Sequence, residues 1–130
     1  MPGHGITVVQ PWAWGIVSGV TTSHHFGRRT NEMGPILIHA AKTRQFLTPA
    51  SCTRCPGVPS ENRLVFGALI GVVDVADCTR DGSLWLWTFE RPRAIVPIPF
   101  EGGFGRFVVP PEIAEQVQYV ERAALASQSR

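Results

Sequence analysis

Hydrophobic and polar positions along the chain alternate in short runs, and those runs predict a strand-rich outline. Ile6-Thr7-Val8-Val9 is β-branched throughout and reads as a short strand. Pro11 then opens an amphipathic helix from Trp12 to Ser18, with Gly19 as its stop. Helical spacing turns Trp12 and Ile16 inward, with Trp14 or Val17 beside them. From His24 to Thr30 there is no clear period, which fits a strand edge or an irregular loop. Pro35 to Ala41 is an apolar run bounded by Gly34 and Lys42, the pattern of a buried strand. Thr48 to Asn62 reads as a loop, being mostly Thr, Pro, Ser, Gly, Cys and Arg.

Val65 to Asp77 carries the strongest strand pattern, and Arg80-Asp81-Gly82 supplies the turn after it. Leu84 to Phe89 alternates, with Trp85 and Trp87 on one side; one face of that strand must leave the core. An outward tryptophan there would offer a surface for base stacking, and an inward one would cover a helix. Arg91-Pro92-Arg93 breaks the run, and Ala94 to Phe100 is extended by its own prolines. Phe104 to Val109 forms a last strand, and Pro110-Pro111 opens a C-terminal helix over 111–126. The fold class expected is α+β, mainly β: a closed or nearly closed mixed sheet with short peripheral helices, over residues 1–130 as one domain.

Composition narrows the class only a little. A chain of 130 residues, 44% hydrophobic and 17% charged, can bury a core without staples. No run approaches the ~18 apolar residues of a membrane span, and the first ten residues lack the pattern of a signal peptide. Three cysteines make no disulfide framework, so reduced thiols and a cytoplasmic setting are expected. The formal net charge is only +2, yet its distribution is uneven. Arg28, Arg29, Lys42, Arg44, Arg54 and Arg63 are opposed in their segment only by Glu32 and Glu61. That asymmetry points to an anionic partner at one face.

A set of separate blocks then falls in a recognisable order. Ile6 to Trp14, Gly19, Gly34 to Lys42 and Gly67 to Cys78 together resemble the ASCH domain of the PUA-like superfamily. Trp87, Arg91-Pro92-Arg93 and Pro97 to Gly102 look like its closing strands, so the resemblance runs from Ile6 to about Val109. It implies a small mixed β-barrel with a cleft between barrel and first helix, in a family linked to RNA binding. Some relatives act instead as nucleases, or as amidohydrolases on an acetylated cytidine.

This chain departs from the family's Gly-x-Lys-x-x-Glu-x-Arg pattern after the first helix. Thr21, His24 and Phe26 stand where Lys, Glu and Arg are expected. Losing the lysine removes the cation that could act as base or hold a phosphate. His24, with His25 beside it, could still exchange protons near neutral pH, so His24 and Thr21 are the candidate catalytic residues, but without the lysine they make no visible acid–base pair. Recognition is therefore favoured over hydrolysis.

For that recognition the candidate residues are Gln10, Pro11, Trp12, Thr21, His24, Arg28, Arg29, His39, Lys42 and Arg44. The Gln10 amide could read a base edge or satisfy local backbone groups. Trp12 fits a cleft wall better than a stacking platform. His39 within an apolar strand has the setting of a hydrogen-bonded core histidine. Arg28, Arg29, Lys42 and Arg44 are the expected phosphate contacts. Asp74 and Asp77 interrupt an apolar strand, so one should pair with an arginine or cap a turn. Cys52-x-x-Cys55 would need two more ligands for zinc, from Cys78, His24, His25 or His39. No cofactor is expected. The partners expected are RNA or another nucleic acid, or a nucleoside-like small molecule, and no membrane.

Overall fold

The computed structural model describes residues 2–103 and 105–120. Six strands form one mixed sheet: β1 (His4–Val8), β2 (Ser23–Phe26), β3 (Gly34–Ala40), β4 (Ala68–Asp81), β5 (Leu84–Pro99) and β6 (Arg106–Val108). Their order across the sheet is β2-β5-β4-β3-β1-β6. β1 and β3 are parallel, while β3, β4 and β5 form an antiparallel meander. Among the described residues three short α-helices lie outside the sheet: α1 (Trp12–Ser18), α2 (Pro49–Thr53) and α3 (Pro111–Ala114). No helix among the described residues is long and apolar enough to cross a membrane.

Strand alternation sorts the core into two layers. Ile36, Ile38 and Ala40 of β3 face α1 with Ile6, Val8, Val73, Val75, Trp87 and Phe89. Leu37 faces the opposite side with Leu69, Val72, Ile95 and Ile98, under Val109 and Ala114. α1 closes against the first layer through Ala13 and Ile16, both essentially inaccessible, and ends at Gly19 in a left-handed conformation. A side chain at Gly15 would collide with the Thr21 hydroxyl, so the chain leaving the helix doubles back in close contact with it.

Four expectations need correction. The sheet is not closed into a barrel by hydrogen bonds, because edge strands β2 and β6 share no ladder. Side chains span the gap instead. Arg106 of β6 donates to Thr30 Oγ1 at 2.8 Å and to Glu32 at 2.9 Å, just beyond the end of β2. Second, Arg91-Pro92-Arg93 does not end a strand; β5 runs through it as a bulge, with Arg91 at φ 51° and register shifts opposite on β4. Third, the loop over 48–62 contains α2, whose N-terminus is a reciprocal cap between Thr48 and Ser51 behind Pro49, followed by a 3-10 turn at Glu61–Arg63. Fourth, the C-terminal helix stops at Ala114. Gln118 and Val120 then bond to Val96 and Ala94 along β5, and 121–126 lie outside the described residues.

Candidate functional site: the cleft between the first helix and the long strand

A concavity of about 780 Å³ lies between α1 and the bulged half of β5. Trp14, Val17 and Ser18 of α1 form one wall, and Pro92, Arg93, Ala94 and Pro97 of β5 the other. Ile70 of β4, Arg63, Leu64 and Val65 of the segment before it, and Tyr119 and Val120 of the segment paired along β5 complete the lining. This volume suits a nucleotide-sized ligand, and its walls are mainly apolar with a few polar groups.

Two guanidinium groups reach the cleft by different routes. Asp74, buried in β4, is bonded by Arg93 Nη2 at 2.6 Å and by Arg91. That pairing explains a carboxylate inside an apolar strand: two cations on one acid offset its desolvation and leave one positive charge in excess. Arg93 also donates from Nε to the Arg91 carbonyl at 2.9 Å, and its guanidinium stands 6.0 Å from the Tyr119 ring centre. It is thus held in one orientation at the cleft wall. Arg63 is exposed and makes no side-chain hydrogen bond or ion pair among the described residues. The cleft lining contains no carboxylate, imidazole, lysine or thiol among the described residues.

Of the residues expected from the sequence, only Gln10 lines this cleft. Its amide is committed: Oε1 accepts from Trp14 N–H at 2.9 Å, and Nε2 donates to the Val65 carbonyl at 2.9 Å. The side chain therefore caps α1 and ties it to the loop before β4, with one donor and one acceptor site engaged within the fold. Pro11 is the buried N-cap of the same helix. Trp12 is half-buried over the first core layer, 6.1 Å from the His24 ring.

His24 sits in β2 between Trp12 and Phe26, with the Phe26 ring edge-on at 4.9 Å. Burial, helped by neighbouring His25, pushes its pKa down to about 4, so at neutral pH it carries no charge. Thr21 lines a smaller hollow with Ile16, Gly19, Phe89 and Pro92, and its hydroxyl lies 3.9 Å from Cys55 Sγ. Thr21 and His24 thus do not converge on the main cleft.

His39 lies on the other face of the sheet. It is fully buried, with Nε2 bonded to the Phe100 carbonyl at 2.6 Å and Nδ1 3.1 Å from the Thr7 hydroxyl. Burial lowers its pKa and nearby Lys42 adds to that, against the opposing pull of the Phe100 carbonyl. In the neutral ring Nε2–H donates to Phe100, so Nδ1 is an acceptor that competes with the Gly103 carbonyl for the Thr7 proton. His39 is thereby a clamp on the segment after β5. Gly102, at φ 75°, lies against its ring where any Cβ would collide.

The four expected phosphate contacts fall into two groups. Lys42 Nζ pairs with exposed Glu101 at 2.8 Å, and Arg44 stacks 4.0 Å from the Phe66 ring centre, both near the start of β4. Arg28 and Arg29 lie near its end, where Arg29 stands 5.5 Å over Trp85 and the Arg28 carbonyl accepts from Trp87 Nε1 at 2.9 Å. The two groups stand at opposite ends of β4, while Glu101 beside Lys42 and Gly105 beside the Arg28 side chain are four residues apart in the chain. Asp77 caps locally, accepting from Cys78 N–H at 2.8 Å.

Cys52 and Cys55 stand at the end of α2, and burial raises the Cys55 pKa, with Thr21 opposing and Cys52 adding. Among the described residues no three His, Cys, Asp or Glu side chains converge as metal ligands. Residues the sequence did not single out are Trp14, Arg63, Arg93 and Tyr119. Arg63 contributed only to the charge count and Arg93 only to an apparent break. Tyr119 was hidden in a helix expected over 111–126.

No protein-family model and no curated protein matches the chain. Solved structures do. The ASCH protein of Zymomonas mobilis superposes with a TM-score of 0.61 at 15% identity, covering 91% of this chain and 97% of its own. Its tyrosine-to-phenylalanine variant gives 0.57 at 14% identity, covering 87% of this chain and 94% of its own. A serine-to-alanine variant of the same protein gives 0.57 at 14% identity, covering 98% and 99%. The likeness spans nearly the full length of both chains, and together with the ordered sequence blocks from Ile6 to Val109 it identifies the fold as that of an ASCH domain.

Proposed function

We propose that this ASCH-fold domain binds single-stranded RNA, seating one nucleotide in the cleft between α1 and β5. The observation that carries the reading is the meeting of Trp14, Tyr119, Arg63 and Arg93 in one nucleotide-sized concavity. Apolar and aromatic walls suit a base or ribose, and the guanidiniums suit the phosphates on either side. No carboxylate stands in the described lining, and the Arg91–Asp74–Arg93 group behind it keeps one positive charge in excess. A reduced, cytoplasmic setting fits the three unpaired thiols.

Recognition is favoured over hydrolysis for a specific reason. The candidate base His24 is packed between Trp12 and Phe26, outside the cleft lining. No other imidazole or carboxylate of the described lining stands within it to move a proton.

Fluorescence anisotropy with a labelled single-stranded RNA tests the reading. Arg63→Gln should weaken binding about five- to tenfold and reduce the log–log salt slope by about 0.7, the release expected for one phosphate contact. Trp14→Leu should cost a further several-fold by removing an aromatic wall. Unchanged affinity in both variants would remove the cleft from the interaction. Cleavage of the RNA that survives Arg63→Gln but disappears in His24→Ala would replace binding with hydrolysis.

A further inference from the structure

Outside the cleft, two guanidiniums meet on one indole at the tip of the β4–β5 hairpin. Trp85 of β5 packs its ring against the first core layer and leaves part of it exposed. Two guanidiniums stand over that ring: Arg29, from the loop after β2, at 5.5 Å and Arg80, from the end of β4, at 5.9 Å. Arg80 is further fixed by donating from Nε to the Gly82 carbonyl at 3.1 Å. Arg28 precedes Arg29 in sequence, its side chain lying beside Gly105.

The carboxylates of the hairpin form no ion pair with this group. Asp81 is bonded to His25 Nε2 at 2.8 Å, and Asp77 accepts from the Cys78 backbone. Bringing two like charges onto one indole costs energy in the free protein, and an anion lying between them recovers it. Guanidiniums already ordered on an aromatic face lose little freedom when they bind phosphate, which is the recognition arginine performs best.

We propose that Arg29 and Arg80, held on Trp85 with Arg28 alongside, form a second phosphate-binding surface for the backbone of a single RNA strand whose other end occupies the cleft. The inference rests on the reading of the cleft as an RNA site but uses none of its residues. Ile70 in the cleft and Arg80 at the hairpin are joined by the same strand, about 30 Å of β4 if straight. A mononucleotide or dinucleotide therefore reaches only the cleft, and only a longer strand spans both. Site sizes of about 4–16 nucleotides are usual for single-strand binders of this scale.

The test compares a uridine dinucleotide with a labelled fifteen-residue oligouridine, each titrated against the wild-type chain and Arg29→Gln/Arg80→Gln. The double variant changes only exposed side chains, and its melting temperature is recorded alongside. The fifteen-mer should bind the double variant about tenfold more weakly, with a salt slope shallower by about 1.4, while dinucleotide binding stays the same. Arg29→Lys/Arg80→Lys should keep most of the slope and lose part of the affinity, because charge remains and the stacked fork does not.

An unchanged fifteen-mer affinity in the glutamine variant overturns the second surface and leaves the cleft reading standing. So does a wild-type chain that binds both lengths equally well. Equal loss of both ligands also overturns it, since the arginines would then act on the cleft. A wild-type chain that binds the fifteen-mer but not the dinucleotide, and loses it in the glutamine variant, upholds the hairpin surface and refutes the cleft.

Discussion

Replacing Gln10 by leucine separates a structural amide from a ligand-reading one. The side chain is essentially inaccessible and makes two hydrogen bonds, to Trp14 N–H and the Val65 carbonyl. Leucine has similar bulk and neither function, so both backbone groups lose their partner. Each orphaned group costs about 1–3 kcal/mol when buried. Val65 is only half-buried in the cleft lining, where water can take the place of the lost donor. The lower end of the range therefore applies, about 2–3 kcal/mol in total.

In a domain of this size that lowers the melting temperature by about 8–12 °C, at about 4 °C per kcal/mol. Thermal melts and urea titrations followed by tryptophan fluorescence measure both quantities, with RNA binding recorded well below the melting point. The expected result is a clear loss of stability with RNA affinity within about threefold of wild type, corresponding to less than 1 kcal/mol. A melting temperature unchanged within a degree, together with lost RNA affinity, would show that the amide serves the ligand. It would refute the assignment of its hydrogen bonds to α1 and Val65.

Three further outcomes follow from the same contacts. His24 has its folded pKa lowered from 6.5 to about 4, so the unfolded chain takes up the proton first as pH falls. Stability should drop between pH 6.5 and 4 by up to about 3 kcal/mol from this residue, and be restored as pH rises. His24→Phe should flatten that part of the curve in urea titrations at stepped pH, though the lowered pKa of His39 leaves a residual fall of the same sign; an unaltered curve would show His24 to be solvated. Gly102→Ala should lose about 2–4 kcal/mol, because a left-handed backbone and the ring of His39 both oppose a Cβ there. A neutral effect in denaturant unfolding would mean that the segment is not clamped. Asp74→Asn should destabilise by about 1–3 kcal/mol, discounted because Arg91 and Arg93 reach solvent. Arg93 keeps its bond to the Arg91 carbonyl and its place on Tyr119, so RNA binding should stay equal or tighten as positive charge is freed; weakened binding would show that Asp74 is needed to orient Arg93.

Much of the fold was legible because it follows local rules. Gly19 stops α1, the apolar run before Lys42 is a central strand, and Val72 to Val75 lie in the buried stretch of β4. Two errors came from reading local breakers too literally. Pro92 ends nothing, since a bulge accommodates it and Asp74 binds the arginines on both sides. Pro110-Pro111 does start a helix, but the edge of β5 at Ala94 and Val96 takes the chain after one turn as a paired segment.

The site was less legible for a related reason. Alternation puts His39 opposite the α1 face, which sequence distance alone does not reveal. The charge count grouped Arg28, Arg29, Lys42 and Arg44, yet β4 holds them at its two ends. Arg63, Arg93 and Tyr119 come together only through the bulge and the returning segment, both products of tertiary pairing.

Amide and indole NMR shifts of the labelled chain, titrated with a uridine dinucleotide, test the central claim most directly. The account predicts saturable shifts confined to Trp14, Arg63 to Val65, Arg93, Ala94 and Tyr119, including the Trp14 indole. Shifts centred on Lys42 and Arg44, or on His24 and Trp12, with the cleft residues unmoved, would contradict it.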